Sequence, residues 1–377
     1  MNIFPRVLIA LPFLATFDVH AETFPFDSDR WQINAEQSSL ENHLGRQSLK
    51  LLGGMAWLPG VEFTDGTITF DMAFSNAPAF SGVTWRMQDE SNYEHFYLRP
   101  HRSGQPDANQ YTPVFNGVSG WQLYYGERYS AVANYPYDEW IAVKLLVSDS
   151  QAEVYIGDLD HPVFFIPELK REPKPGAVGV DSSNFSPIWF SNFRVDDSPV
   201  ELTTQPELPA ETMEPNMVDS WQFSNTFAAT TLDDKLVLDD NFKQSLTWTS
   251  LAIEPPGFAN IARLRTLGEA ADTVMARLVI ESPIEQAVFL EFGYSDLARV
   301  FLNDRLVYEG DNSYQSRDFR FLGTIGLFDG LSLPLVSGTN ELWIAVTEQF
   351  GGWGVTARLK DATSVEVLGP KRMRRIN

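Results

Sequence analysis

Apolar and polar residues alternate with a period of two along most of this chain, the spacing that turns one face of a β-strand to a core and the other to water. Ile68, Phe70, Met72 and Phe74 interleave with Thr67, Thr69, Asp71 and Ala73. Val83, Trp85 and Met87 interleave with Thr84, Arg86 and Gln88. Ala142–Val147 and Ala152–Ile156 flank a turn at Ser148-Asp149-Ser150. Further on, Val300 and Leu302 lead to a turn at Asn303-Asp304, and Leu306 and Tyr308 lead away. Gly338 and Asn340 read as another turn, after which Leu342, Ile344 and Val346 point one way along a strand. No long stretch carries the 3.6-residue period of an amphipathic helix. Short strands at regular spacing predict an all-β protein built of β-sandwiches.

A composition shift divides the chain. Residues 198–217 hold Pro199, Pro206, Pro209 and Pro215 among Glu201, Glu207, Glu211 and Glu214, with few bulky apolar residues. Proline and like charge stiffen such a segment, so it reads as an acidic linker that could extend about 60 Å or lie along a surface. It separates one predicted domain, 22–197, from a second, 218–368. At the start, Arg6 precedes an apolar run from Val7 to Phe17, and Val19-His20-Ala21 has the small-residue character of a cleavage site. Residues 1–21 are therefore expected to be a signal peptide, with a mature periplasmic or extracellular protein. The run is shorter than the roughly 18 residues that a spanning helix needs, so no membrane span is expected. Residues 369–377, with Lys371, Arg372, Arg374 and Arg375, read as a basic tail.

The 377 residues carry a formal net charge of −22, which disfavours nucleic acid and anionic lipid as partners. There are no cysteines, which excludes thiol catalysis and thiolate metal sites, and a 44% hydrophobic content suffices for cores without disulfides. The five histidines show no paired spacing, so no transition-metal site is expected. A structural calcium ion is the one cofactor considered, at Asp27 and Asp29, Asp196-Asp197 or Asp239-Asp240, although acidic turns are commoner than calcium sites.

The densest candidate chemistry lies between Arg86 and Tyr125. If Glu94–Leu98 is a strand, His95, Tyr97, Arg99 and His101 share one face while Phe96 and Leu98 face the core. Gln110, Tyr111, Asn116, Trp121, Gln122 and Tyr124 follow. Guanidinium, amide and aromatic groups together suit a neutral polyol: planar donors and acceptors meet hydroxyls, and rings stack on the C–H faces of a sugar. The same residues also fit core aromatics and a buried structural arginine.

Two resemblances bear on these residues. Asp65-Gly66-Thr67-Ile68-Thr69-Phe70, Gly82-Val83-Thr84-Trp85-Arg86, Asn92-Tyr93-Glu94 and Phe190-Ser191-Asn192-Phe193-Arg194-Val195 resemble the concanavalin A-like lectin/glucanase superfamily, nearest its laminin-G-like and 3-keto-disaccharide hydrolase branches. That implies a curved jelly roll whose middle strands contribute to a concave ligand face. The paired-acid strand signature of retaining glucanases is absent. The hydrolase branch implies an elimination beside a ketone, for which Glu94, His95 or His101 would be the base and Arg86 or Arg99 the carbonyl polariser. Downstream, the run from Arg299 to Gly354, with Trp221, Trp248, Asn303 and Trp353, resembles the sugar-binding jelly roll of family 2 glycoside hydrolases, within the galactose-binding-like superfamily. Asp304 stands where that family often has glycine. Tyr314, Arg317, Glu348 and Trp353 are expected to be structural. Three functions stay open: carbohydrate binding without strong catalysis, a glycoside-cleaving enzyme, and an envelope adhesion or assembly module that binds protein.

Overall fold

The computed structural model describes residues 21–204, 208–360 and 364–368. The expected signal peptide, apart from Ala21, and the basic tail lie outside the described residues. Antiparallel strands make up the regular structure of the described chain apart from short 3-10 turns and one five-residue α-helix, Asp240–Gln244. No helix among the described residues is long and apolar enough to cross a membrane.

Residues 22–196 form one 13-stranded sheet that folds over on itself. The fold is made in the long strand Arg46–Phe63, which pairs with Ile188–Asp196 through Leu49 and Leu51 and then, past Gly53 and Gly54, with Gly176–Ser182. Gly54 has φ 140°, and a Cβ there would lie 2.2 Å from the Asn34 carbonyl oxygen, so only glycine passes this corner. Ile68, Phe70 and Met72 from one layer meet Val83, Trp85 and Phe96 from the other in a single core. The alternation read from the sequence is therefore the alternation of the sandwich.

One strand breaks that alternation. Arg86 has φ 50° and sits at a register shift in Ser81–Asp89, which puts Thr84 and Met87 on one side, with Thr84 Oγ1 donating to Met87 Sδ. Such a bulge re-aims one side chain. Arg86 is turned inward, where Nε donates to the Thr64 carbonyl oxygen at 2.9 Å and Nη2 to Asp149 O and Asp65 Oδ1.

The C-terminal residues build a seven-stranded and a four-stranded sheet around a second core that includes Trp221, Leu290, Phe292, Ile344 and Trp353. The Asn303-Asp304 turn has φ 47° and 68°, the signature of a type I′ hairpin, so aspartate does here what glycine often does. Asn340 is not in a turn: it lies in the strand Gly338–Thr347, and its side chain folds back to accept from Val336 N and donate to Val336 O. Of the segment expected to be a linker, the described part lies against the protein. Glu211 accepts from Tyr129, and Glu214 pairs with Arg358 at 2.8 Å.

The two halves are joined by residues 120–125. Gln122 is fully buried; its N–H donates to Gly351 O, its Nε2 to Leu322 O at 2.8 Å, and its Oε1 accepts from Ser295 Oγ at 3.0 Å. Tyr124 donates to Glu254, and Asn260 donates to Tyr124. Phe258 and Ile325 from the C-terminal half complete the N-terminal core.

Candidate functional site

The strand Asn92–Leu98 decides which candidates share a face. His95 and Tyr97 lie opposite to Glu94, Phe96 and Leu98, as period two requires. His95 Nε2 is 2.8 Å from Asp181 Oδ1, which also accepts from Gly82 N. Tyr97 Oη donates to Gln110 Oε1 on the neighbouring strand at 2.9 Å, and Arg99 Nη2 donates to both Tyr97 Oη and Gln110 Oε1. Gln110 Nε2 donates to the carbonyls of Trp121 and Tyr124. Burial pushes the Tyr97 phenol above its ordinary range, so it stays a neutral donor.

Arg99 and Gln110 form the polar floor of a cavity of about 430 Å³ at the joint between the halves. Its walls include Asp107, Trp121, Tyr125, Glu127, Ser130 and Val132 from the N-terminal half and Leu322 and Thr324 from the C-terminal half. Asp107 is paired with Arg102 at 2.8 Å and lies 3.7 Å from Arg99. Tyr125 is exposed, and its hydroxyl donates to Ile325 O at 2.7 Å. On the other side of Tyr125 lies a second cavity of about 290 Å³, lined by Leu123, Tyr129, Glu211, Glu214 and Phe258.

Of the predicted ligand-binding residues, Arg99, Gln110 and Trp121 line this cavity, and Tyr97 lies directly behind two of them. The others do not. Arg86, 1% exposed, ties two turns together as a structural clamp. Tyr111 and Tyr124 are fully buried core residues, Gln122 pins the joint, and Asn116 donates to Ala262 O. Of the predicted catalytic groups, Glu94 is fully buried on the core side, where it accepts from Tyr111 Oη at 2.7 Å and from Arg171 N. Burial raises its pKa to about 7. His101 belongs to a short 3-10 turn beyond the strand end, where its ring accepts from Ala79 N; partial burial and the nearby Arg99 push its pKa down. His95 alone of the three sits on the Tyr97 face.

Two of the aspartates considered for calcium have other partners. Asp239 caps the helix by accepting from Phe242 N, Asp196 accepts from Ser198 N, and Asp27 and Asp29 are exposed. Among the described residues, no three His, Asp or Glu side chains come together so as to hold a metal ion.

Sequence reasoning missed Asp107, Asp181, Tyr125 and Leu322, none of which stands out by type or spacing. It also missed a buried acid pair behind the joint. Asp296 accepts from the backbone N–H groups of Gln349 and Phe350, and Glu348 from that of Gly352. Burial raises Asp296 to about 6, and burial plus repulsion from Asp296 raises Glu348 well above the usual carboxylate range.

No family model and no curated protein matches this chain. Solved structures with similar strand arrangements include a carbohydrate-binding module of Bacillus subtilis, at 12% identity over 44% of this chain and 93% of that one, with a TM-score of 0.33. A β-glucanase of Bacillus licheniformis is 11% identical over 47% of this chain and 98% of that one, with a TM-score of 0.33. A protein of unknown function with a galectin-like fold, from Bacillus subtilis, is 13% identical over 47% and 98%, with a TM-score of 0.32. Each overlap spans less than half of this chain and assigns no residue a role.

Proposed function

We propose that this protein binds a neutral carbohydrate in the cavity between its two halves, without strong catalysis of its own. The observation that carries the reading is the lining of that cavity. Trp121 and Tyr125 offer rings to the C–H faces of a sugar, while the Arg99 guanidinium, whose Nε has no protein partner, the Asp107 carboxylate and the Ser130 oxygen offer polar partners for hydroxyls. The net charge of −22 supports a neutral ligand over a polyanion. Membership of the concanavalin A-like and galactose-binding-like superfamilies, the division at 198–217 and a periplasmic or extracellular location belong to the same proposal.

A second reading, cleavage of a 3-keto-glycoside, draws on the His95–Asp181 pair, in which a carboxylate orients an imidazole beside Tyr97. A glycan panel read for binding and released products in the same wells separates the two. Binding without products supports the first. Products that vanish in His95→Ala and Asp181→Asn would replace it with the second. Silence in both channels would refute both and leave a protein-binding adhesion role.

A further inference from the structure

The cavity does not end at its own rim. Trp121, which lines it, meets Phe350 at 5.6 Å and Tyr314 at 6.5 Å between ring centroids, and those two meet each other at 6.2 Å. The three interplanar angles of 63° to 78° make every contact edge-to-face. Tyr314 is 46% and Phe350 57% exposed, so this is an uncovered aromatic cluster contributed by both halves. The backbone that carries Phe350 is held in place: Asp296 fixes the Phe350 N–H at 2.7 Å, and Gln122 N donates to Gly351 O. Backbone fixed before binding costs little entropy when a ligand arrives.

We infer that Tyr314 and Phe350 form an outer platform, so that the ligand is an extended neutral glycan chain gripped by both halves rather than a mono- or disaccharide. This rests on the reading of the cavity given above. A cavity of about 430 Å³ is near the small end of ligand sites, roughly 300–1,000 Å³, with room for a short saccharide. A longer chain has to leave across the rim, and the residues there are rings. Repulsion by the acidic surface disfavours sulfated and uronate chains.

The test is isothermal titration of the full chain with neutral gluco-oligosaccharide ladders of two to six units, in β-1,4, β-1,3 and α-1,4 linkage. Wild type should bind one ladder with affinity rising as the chain lengthens. Phe350→Ala, which removes an exposed ring, should weaken the hexamer about five- to tenfold while changing the dimer less than about twofold. Tyr314→Ala serves as the second variant, with unchanged melting required of both. Equal losses for dimer and hexamer, no loss for either, or wild-type affinity independent of length would overturn the platform while leaving the cavity reading intact. Failure of every ladder to bind would instead refute the cavity reading, and the platform with it.

Discussion

Gln122 offers the sharpest perturbation of the joint. Its side chain is fully buried, donates to Leu322 O at 2.8 Å and accepts from Ser295 Oγ at 3.0 Å, with 200 and 173 residues of sequence separation. Gln122→Met keeps the volume but removes both bonds, leaving the Leu322 carbonyl without its partner and the Ser295 hydroxyl with Asp296 Oδ1 alone at 3.3 Å. A lost hydrogen bond costs about 0.5–1.5 kcal/mol, so the joint should weaken by about 1–3 kcal/mol. Calorimetry and urea unfolding followed by tryptophan fluorescence read this directly: wild type should unfold in one transition, and the variant should split into two as the halves uncouple. Gln122→Glu, carrying a charge into the same site, should be worse. A variant within about 0.5 kcal/mol of wild type, still unfolding in one step, would refute the idea that this residue pins the halves together.

Other consequences follow from the buried charges. Asp296 and Glu348 are raised when folded, so the folded state holds more protons than the unfolded one, and stability is fully present below about pH 4 and lost as pH rises through about 6. For Asp296 the loss is about 3 kcal/mol, seen in urea midpoints between pH 4 and 8, and Glu348→Gln should flatten it; a flat wild-type profile contradicts this. Glu94, raised to about 7 by burial, acts in the same direction, so Glu94→Gln should stabilise the protein above pH 7 and leave glycan binding unchanged, whereas lost binding would return it to the site. Arg86→Met should cost about 3 kcal/mol in denaturation by orphaning the Thr64 and Asp149 carbonyls, with affinity for glycan unaltered at temperatures where it folds.

The strands were legible because period two is a local signal: Ile68 to Phe74 and Leu342 to Val346 needed only their own alternation. For Arg86 the sequence left a ligand-facing and a buried structural reading open, because the bulge that breaks the period there and sends its side chain inward has no local signal. Glu94 follows the same period that the sequence shows: adjacent to His95, it lies on the opposite face, with Phe96 and Leu98. The joint was hidden more deeply. Trp121, Gln122 and Tyr124 look like sugar-facing groups by type, and nothing in the sequence links them to Glu254, Leu322 or Gly351. Whether the acidic segment extends or lies along a surface was open in the sequence because its partners, Arg128, Tyr129 and Arg358, lie far away in the chain.

The central claim is that a neutral glycan occupies the cavity at the joint. Val132 lines that cavity, is 55% exposed and takes no part in the joint's hydrogen bonds, so Val132→Trp fills the space without loosening the halves. Titrating whichever oligosaccharide binds wild type into this variant tests the claim most directly. The account predicts an unchanged melting temperature with affinity reduced at least about tenfold. Undiminished binding to a folded Val132→Trp protein would place the ligand elsewhere and contradict it.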